Sequence, residues 1–172
     1  MCYLITLARR LVSPPFKHRV EDWREIIDAN LNGAWVMASA VAKRIAARSA
    51  ALPPGRGSII NTTSVSATRT MALVPANMAS KAGLAHLTRE MAIELAPIGI
   101  QVNSIAPGLF VTEMSAACIK TEHGKEMLSK ISMRRATQAG KLDGALLLLA
   151  SDVGSYMTGA EIIIDGGVGA GP

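Results

Sequence analysis

Ser58-Ile-Ile-Asn-Thr-Thr-Ser64, Asn77-Met-Ala-Ser-Lys81 and Ile100-Gln-Val-Asn-Ser-Ile-Ala-Pro-Gly108 lie within one stretch, Ser58 to Met114. The first and third segments are short, β-branched and free of charge. Turn residues bound them, so they read as buried strands. Between them, from about Ala76 to Leu95, the residues Leu84, Leu87, Met91 and Leu95 share one helical face. Pro97 and Gly99 stop that helix. Strands without polar alternation, joined through a helix, are the pattern of a parallel sheet covered on both faces. In such sheets ligands bind beyond the carboxyl ends of the strands, and Ser64 and Pro107-Gly108 stand at two such ends.

The pattern continues in both directions. From Val20 to about Ser49, Trp23, Ile26, Ile27, Leu31 and Trp35 recur at steps of three and four, which predicts one apolar helix face. Glu21 and Asp22 open that helix and Lys43, Arg44 and Arg48 close it, as the helix dipole prefers. Pro53-Pro54-Gly55 is the expected stop. Residues 1–19 are expected to be irregular, with Met1 to Ala8 apolar but of unassigned type. Downstream, Thr112 to Lys130 reads as a loose helical segment, Leu142 to Ser151 as a short helix, and Glu161-Ile-Ile-Ile-Asp165 as the last strand. The glycine-rich end, residues 168–172, is expected to be a mobile tail. The expected organisation is a single α/β domain over 1–172.

With 172 residues, 49% hydrophobic and only 3% aromatic, the chain can fill a core that must be mostly aliphatic. The net charge of +5 comes from basic residues scattered along the chain without interleaved aromatics, which argues against a nucleic-acid groove. No apolar run reaches the length of a membrane span. Two cysteines, Cys2 and Cys118, have no metal-site spacing and make no disulfide framework. They fit a reducing compartment, so a cytoplasmic protein is expected.

Three polar residues invite two readings each. Ser64 follows a strand: it is either a turn residue bonding a nearby amide or a hydroxyl offered to a ligand. Lys81 lies near a helix start, where the dipole disfavours a cation; it is either an exposed surface lysine or part of a site. Asn30 sits on an apolar face, either as a core amide satisfied by backbone groups or as a site residue.

Ser64, Ala79-Ser80-Lys81-Ala82-Gly83 and Val102 to Gly108, in that order and spacing, resemble the short-chain dehydrogenase/reductase family. Asn30-Leu-Asn-Gly33, Leu147 to Asp152, Met157-Thr-Gly159 and Asp165-Gly-Gly167 are similar to its other signatures. The resemblance implies a Rossmann-like three-layer fold, here an incomplete one. It also implies hydride transfer between NAD or NADP and a small alcohol or carbonyl. The family uses a tyrosine as general acid/base, with a lysine four residues later that binds the nicotinamide ribose and depresses the tyrosine's pKa. By motif, Lys81 inherits the lysine role, Ser64 the substrate-steadying role and Asn30 that of a water-holding asparagine. Pro107, Gly108, Phe110 (through its backbone) and Thr112 resemble the positions that bind the cofactor's carboxamide. The family also implies a homo-oligomer built through its two long helices.

Two departures stand out. The position four before Lys81, on the same helix face, is Asn77, and an amide cannot shuttle a proton. His86 is on a different side of the helix, and neither Tyr3 nor Tyr156 stands four before a lysine. The family's Gly-x-x-x-Gly-x-Gly phosphate cradle and its Asn-Asn-Ala-Gly segment do not occur in the 172 residues. By comparison with the family, the first half of the nucleotide-binding fold is expected upstream of Met1. Missing neighbours would bare an apolar sheet edge and favour association. The expectation is therefore an oxidoreductase that binds its cofactor weakly and turns over little. The alternative is a non-catalytic pseudoenzyme or oligomer-assembly subunit.

Overall fold

The computed structural model describes residues 1–48 and 57–170. Among these, β1 (Cys2–Ile5), β2 (Gly57–Thr62), β3 (Ile100–Pro107) and β4 (Glu161–Ile164) form one sheet in the order β1-β2-β3-β4. Each neighbouring pair is parallel. The register sets Ile5 beside Asn61, Asn61 beside Ser104 and Ser104 beside Glu161.

Helices cover both faces. On one side lie α1 (Val20–Ile27), α2 (Gly33–Ala46) and α3 (Pro75–Leu95). A π-helical turn, Asp28–Asn32, joins α1 to α2. After β3 come α4 (Glu113–Ile119), α5 (Glu122–Ser129) and α6 (Asp143–Ala150). Successive strand side chains point to opposite faces. Ile59 therefore packs with Ala34, Ala38, Ile45, Leu84, Met91 and Val102, while Ile60 packs with Ile105 and Leu149 of α6. Ile59 and Ile60 are fully buried, and burying each such side chain contributes about 1.5–3 kcal/mol. The α/β sheet with helices on both faces is the architecture the sequence pattern requires.

Four local expectations are corrected. Residues 1–19 are not irregular throughout, because Cys2–Ile5 is a strand paired along its length with Ser58–Asn61. Its strand state comes from that pairing, since four residues carry no period of their own. Trp23 and Trp35 do not share the buried face with Ile26; they are 40% and 53% exposed. The segment after Thr112 is two helices. Thr121 breaks it by accepting the Gly124 backbone N–H at 3.1 Å as the cap of α5. Residues 168–170 are tied down rather than free. The Asp165 carboxylate accepts from the backbone N–H groups of Gly167 and Gly169, and the Arg69 guanidinium donates to the Val168 carbonyl. The positive φ values of Gly166 and Gly167, 67° and 87°, explain why glycine occupies that turn. Pro53-Pro54-Gly55 and residues 171–172 lie outside the described residues.

Candidate active site

Lys81 is 3% exposed, so the surface-lysine reading fails. Its Nζ donates to the carbonyl of Leu7 at 2.9 Å and to that of Thr62 at 2.8 Å. Leu7 follows β1 and Thr62 ends β2, so the side chain closes the gap between the carboxyl ends of two adjacent parallel strands. Among the described residues no carboxylate pairs with it. Burial of the charge without an anion pushes its pKa down to about 8. The two carbonyl dipoles offset part of the desolvation, and one of the three donor positions of the ammonium remains unassigned.

Asn30, fully buried in the π-helical turn, is fixed by three bonds. Its amide donates to the Arg9 carbonyl at 2.9 Å and to Ser80 Oγ at 3.0 Å, and its Oδ1 accepts the Arg9 backbone N–H at 2.7 Å. The core-amide reading of Asn30 holds for its two bonds to the Arg9 backbone, whereas its third partner is the side-chain hydroxyl of Ser80, the residue before Lys81. A π-turn carries one extra residue per turn, which shifts the following side chains; here that turn carries Asn30.

Asn77 lies in the first turn of α3, half-buried. Its amide makes two long contacts of 3.4 Å, donating to the Arg9 carbonyl and accepting from Ser66 Oγ. Ser64 opens the short helical turn Val65–Ala67 and its Oγ accepts the Ser66 backbone N–H at 3.1 Å. Its turn role is therefore real, and its own O–H has no protein acceptor among the described residues. Asn30, Asn77 and Lys81 converge on the segment after β1, and Ser64 joins them through Ser66.

Pro107 ends β3, and the Gly108 N–H donates to the Ile164 carbonyl at 2.9 Å. A Cβ on Gly108 would lie 2.6 Å from Asp165 Cα, so the close approach of two chains requires glycine there. The Phe110 carbonyl accepts from Ser115 Oγ at 2.7 Å, and Phe110 bridges to Thr137. Thr112 caps α4, accepting the Ser115 N–H at 3.2 Å. These two residues are engaged locally, at the carboxyl end of the strand next to β2.

Sequence reasoning missed the backbone carbonyls of Leu7, Arg9 and Thr62, and the hydroxyls of Ser66 and Ser80. Carbonyls leave no mark in a sequence. Ser80 did leave one: a buried hydroxyl beside Lys81 in the quoted motif, donating to the Asn77 carbonyl at 2.7 Å. His86 and Tyr156 are exposed, which removes them as proton donors at this site. No group of histidine, cysteine, aspartate and glutamate suited to a metal ion occurs among the described residues. No helix of the described residues is long and apolar enough to cross a membrane.

The short-chain dehydrogenase/reductase family model described as enoyl-(acyl carrier protein) reductase matches residues 4–169. The chain belongs to the short-chain dehydrogenase/reductase family. It is 36% identical over 154 residues to 3-alpha-(or 20-beta)-hydroxysteroid dehydrogenase of Mycobacterium tuberculosis, covering 90% of this chain and 55% of that protein. It is 31% identical over 149 residues to gluconate 5-dehydrogenase of Gluconobacter oxydans, covering 86% and 56%. The crystal structure of a gluconate 5-dehydrogenase from Burkholderia cenocepacia in complex with NADP and tartrate is similar with a TM-score of 0.91 at 28% identity, covering 99% of this chain and 65% of that one. A 4-hydroxyisoleucine dehydrogenase complexed with NADH is similar with a TM-score of 0.92 at 28% identity, covering 99% and 69%. This short-chain dehydrogenase/reductase chain thus spans a little over half the length of these curated relatives.

Proposed function

We propose that this chain carries the substrate-and-ribose end of an NAD- or NADP-dependent oxidoreductase acting on a small alcohol or carbonyl, with weak or no turnover as written. The observation that carries the reading is Lys81: a buried ammonium, held by two strand-end carbonyls, with one N–H unassigned. That N–H fits a sugar hydroxyl, and the uncommitted Ser64 O–H fits a substrate oxygen. Asn30 orients the Arg9 backbone and Ser80 around them. Pro107, Gly108, Phe110 and Thr112 form the neighbouring strand end, where the carboxamide would lie. A bound nicotinamide would supply or accept the hydride.

Two features support weak activity. Asn77 can donate a hydrogen bond but cannot exchange a proton near neutral pH. No Gly-x-x-x-Gly-x-Gly cradle for the pyrophosphate occurs among the 172 residues. The two exposed thiols, Cys2 and Cys118, fit a cytoplasmic setting. The test is a titration of the chain with NADH and with NADPH, followed by cofactor fluorescence. Binding in the millimolar range that Lys81→Met abolishes is expected; saturation at micromolar cofactor would sink the claim of a weak site.

A second reading, a non-catalytic subunit of a homo-oligomer, is favoured by one observation. Trp35, Val36 and Met37 of α2 are each more than half exposed, an apolar cluster that association would cover.

A further inference from the structure

Glu161 opens β4, a strand otherwise made of Ile162, Ile163 and Ile164. A carboxylate is a poor strand residue, and covering it costs free energy unless it is hydrogen-bonded. The register sets Glu161 beside Ser104 of β3, and Ser104 beside Asn61 of β2. Ile162 and Ile164 pack with Ile60, Ile105 and Leu149 of α6, so Glu161 projects from the opposite face of the sheet. There its Oε1 reaches across β3 and accepts the hydroxyl of Thr63 at 2.6 Å. The Ser104 hydroxyl donates to the same oxygen at 3.5 Å. Both hydroxyl residues are buried. The single Thr63 proton also lies 3.2 Å from the Ile105 carbonyl, but the shorter contact has the length of a charge-assisted bond. Among the described residues no cation pairs with Glu161.

Thr63 is the first residue beyond β2, and its N–H donates to the Ile105 carbonyl at 2.9 Å. On one side of it stands Thr62, whose carbonyl accepts from Lys81. On the other stands Ser64, whose Oγ and carbonyl accept the N–H groups of Ser66 and Ala67. A shift at Thr63 is therefore passed to both neighbours. We propose that Glu161 is a positioning residue: through the Thr63 hydroxyl it holds the Thr62–Ser64 segment, so that the Thr62 carbonyl and the Ser64 hydroxyl keep their places at the site. What those two groups do there rests on the oxidoreductase reading; how they are held rests on the Thr63–Glu161 bond alone.

The test uses the 172-residue chain without cofactor. Its failure would leave the oxidoreductase reading standing, and a failed NADH titration would leave the tether to be decided here. Amide hydrogen exchange is followed by NMR at Thr63, Ser66 and Ala67, with the α3 amides from Leu84 to Ala92 as internal reference. Glu161→Val should speed exchange at the three amides about tenfold and in the reference less than about twofold. Glu161→Gln keeps an acceptor oxygen and should hold the three amides within about threefold of the wild type. Thr63→Val, nearly isosteric, should match Glu161→Val. The double variant should exchange no faster than the faster single one, because both changes remove the same bond. Unchanged exchange at the three amides, an equal rise in α3, a Gln variant as fast as the Val variant, or additive effects in the double variant would each overturn the proposal. Should Glu161→Val fail to fold, Thr63→Val and Glu161→Gln decide the same question.

Discussion

The amide of Asn30 donates to the hydroxyl of Ser80 at 3.0 Å, across the contact between the π-helical turn and α3. Ser80 in turn donates to the Asn77 carbonyl at 2.7 Å. Asn30 also grips both backbone groups of Arg9. One buried amide thus ties the chain after β1 to the helix turn that carries Lys81.

Replacing Asn30 should therefore cost more than an average polar core substitution. Asn30→Ala leaves the Arg9 N–H without its acceptor and the Arg9 carbonyl and Ser80 without their amide donor. Unsatisfied buried groups of this kind cost about 1–3 kcal/mol each when solvent cannot reach them. A loss of roughly 2–4 kcal/mol in urea unfolding is expected. A loss below about 0.5 kcal/mol would show that water replaces the amide.

Stability should rise with pH through the window set by Lys81. Its pKa is lowered in the fold, to about 8, against an ordinary 10.5. Between those values the unfolded chain holds the proton more tightly, so folding releases it and stability increases from pH 8 to pH 10.5. Below pH 8 the buried charge costs its full amount, about 3 kcal/mol relative to the alkaline limit. The check compares unfolding curves of the wild type and Lys81→Met at pH 7.5 and pH 10. The difference between the two proteins should shift in favour of the wild type at the higher pH; a constant difference refutes the assignment.

Asn77→Tyr restores a group that can exchange a proton next to the Lys81 ammonium, which would stabilise a phenolate. In a chimera joined to the nucleotide-binding half of the Gluconobacter gluconate 5-dehydrogenase, the substitution should raise turnover of alcohols or ketones about 10²–10⁴-fold. If turnover is unchanged across a broad panel, position 77 is not what limits the site.

Two glycines should respond oppositely to alanine. Gly108→Ala places a methyl 2.6 Å from Asp165 Cα and 3.0 Å from its carbonyl oxygen, so β3 and the segment after β4 must part. A loss of about 2 kcal/mol or more is expected. Gly144, in α6, has nothing within 4 Å of an added Cβ. Its replacement should stabilise by roughly 0.5–1 kcal/mol through helix propensity. Thermal unfolding of the two variants decides both.

If the exposed face of α2 assembles the protein, charge there should dissociate it. Trp35→Lys with Met37→Lys should lower the sedimentation coefficient toward that of a monomer while leaving circular dichroism unchanged. A wild type already monomeric at tens of micromolar would remove the assembly reading.

The long elements were legible because their apolar periods are long. Leu84 and Met91 are buried on the face the spacing assigns them, and β2 and β3 lie within a residue or two of their sequence boundaries. β1 was not legible, because four residues carry no pattern without the neighbour that pairs with them. The exposure of Trp23 and Trp35 was hidden for a related reason. A helical stripe says which residues share a side, and packing then decides how much of that side is covered.

The sequence by itself determined the family, the parallel α/β pattern, and the absence of a titrating side chain at position 77. These follow from residue type and spacing, which are local. Only the tertiary structure decided what Ser58 to Met114 contributes. Lys81 could have been one more solvated cation on a basic chain. It is instead buried and coordinated by Leu7 and Thr62, with Asn30 bracing the chain after β1 around it. Its chemistry depends on desolvation and on backbone carbonyls brought in from 74 and 19 residues away, and neither exists until the strands pair.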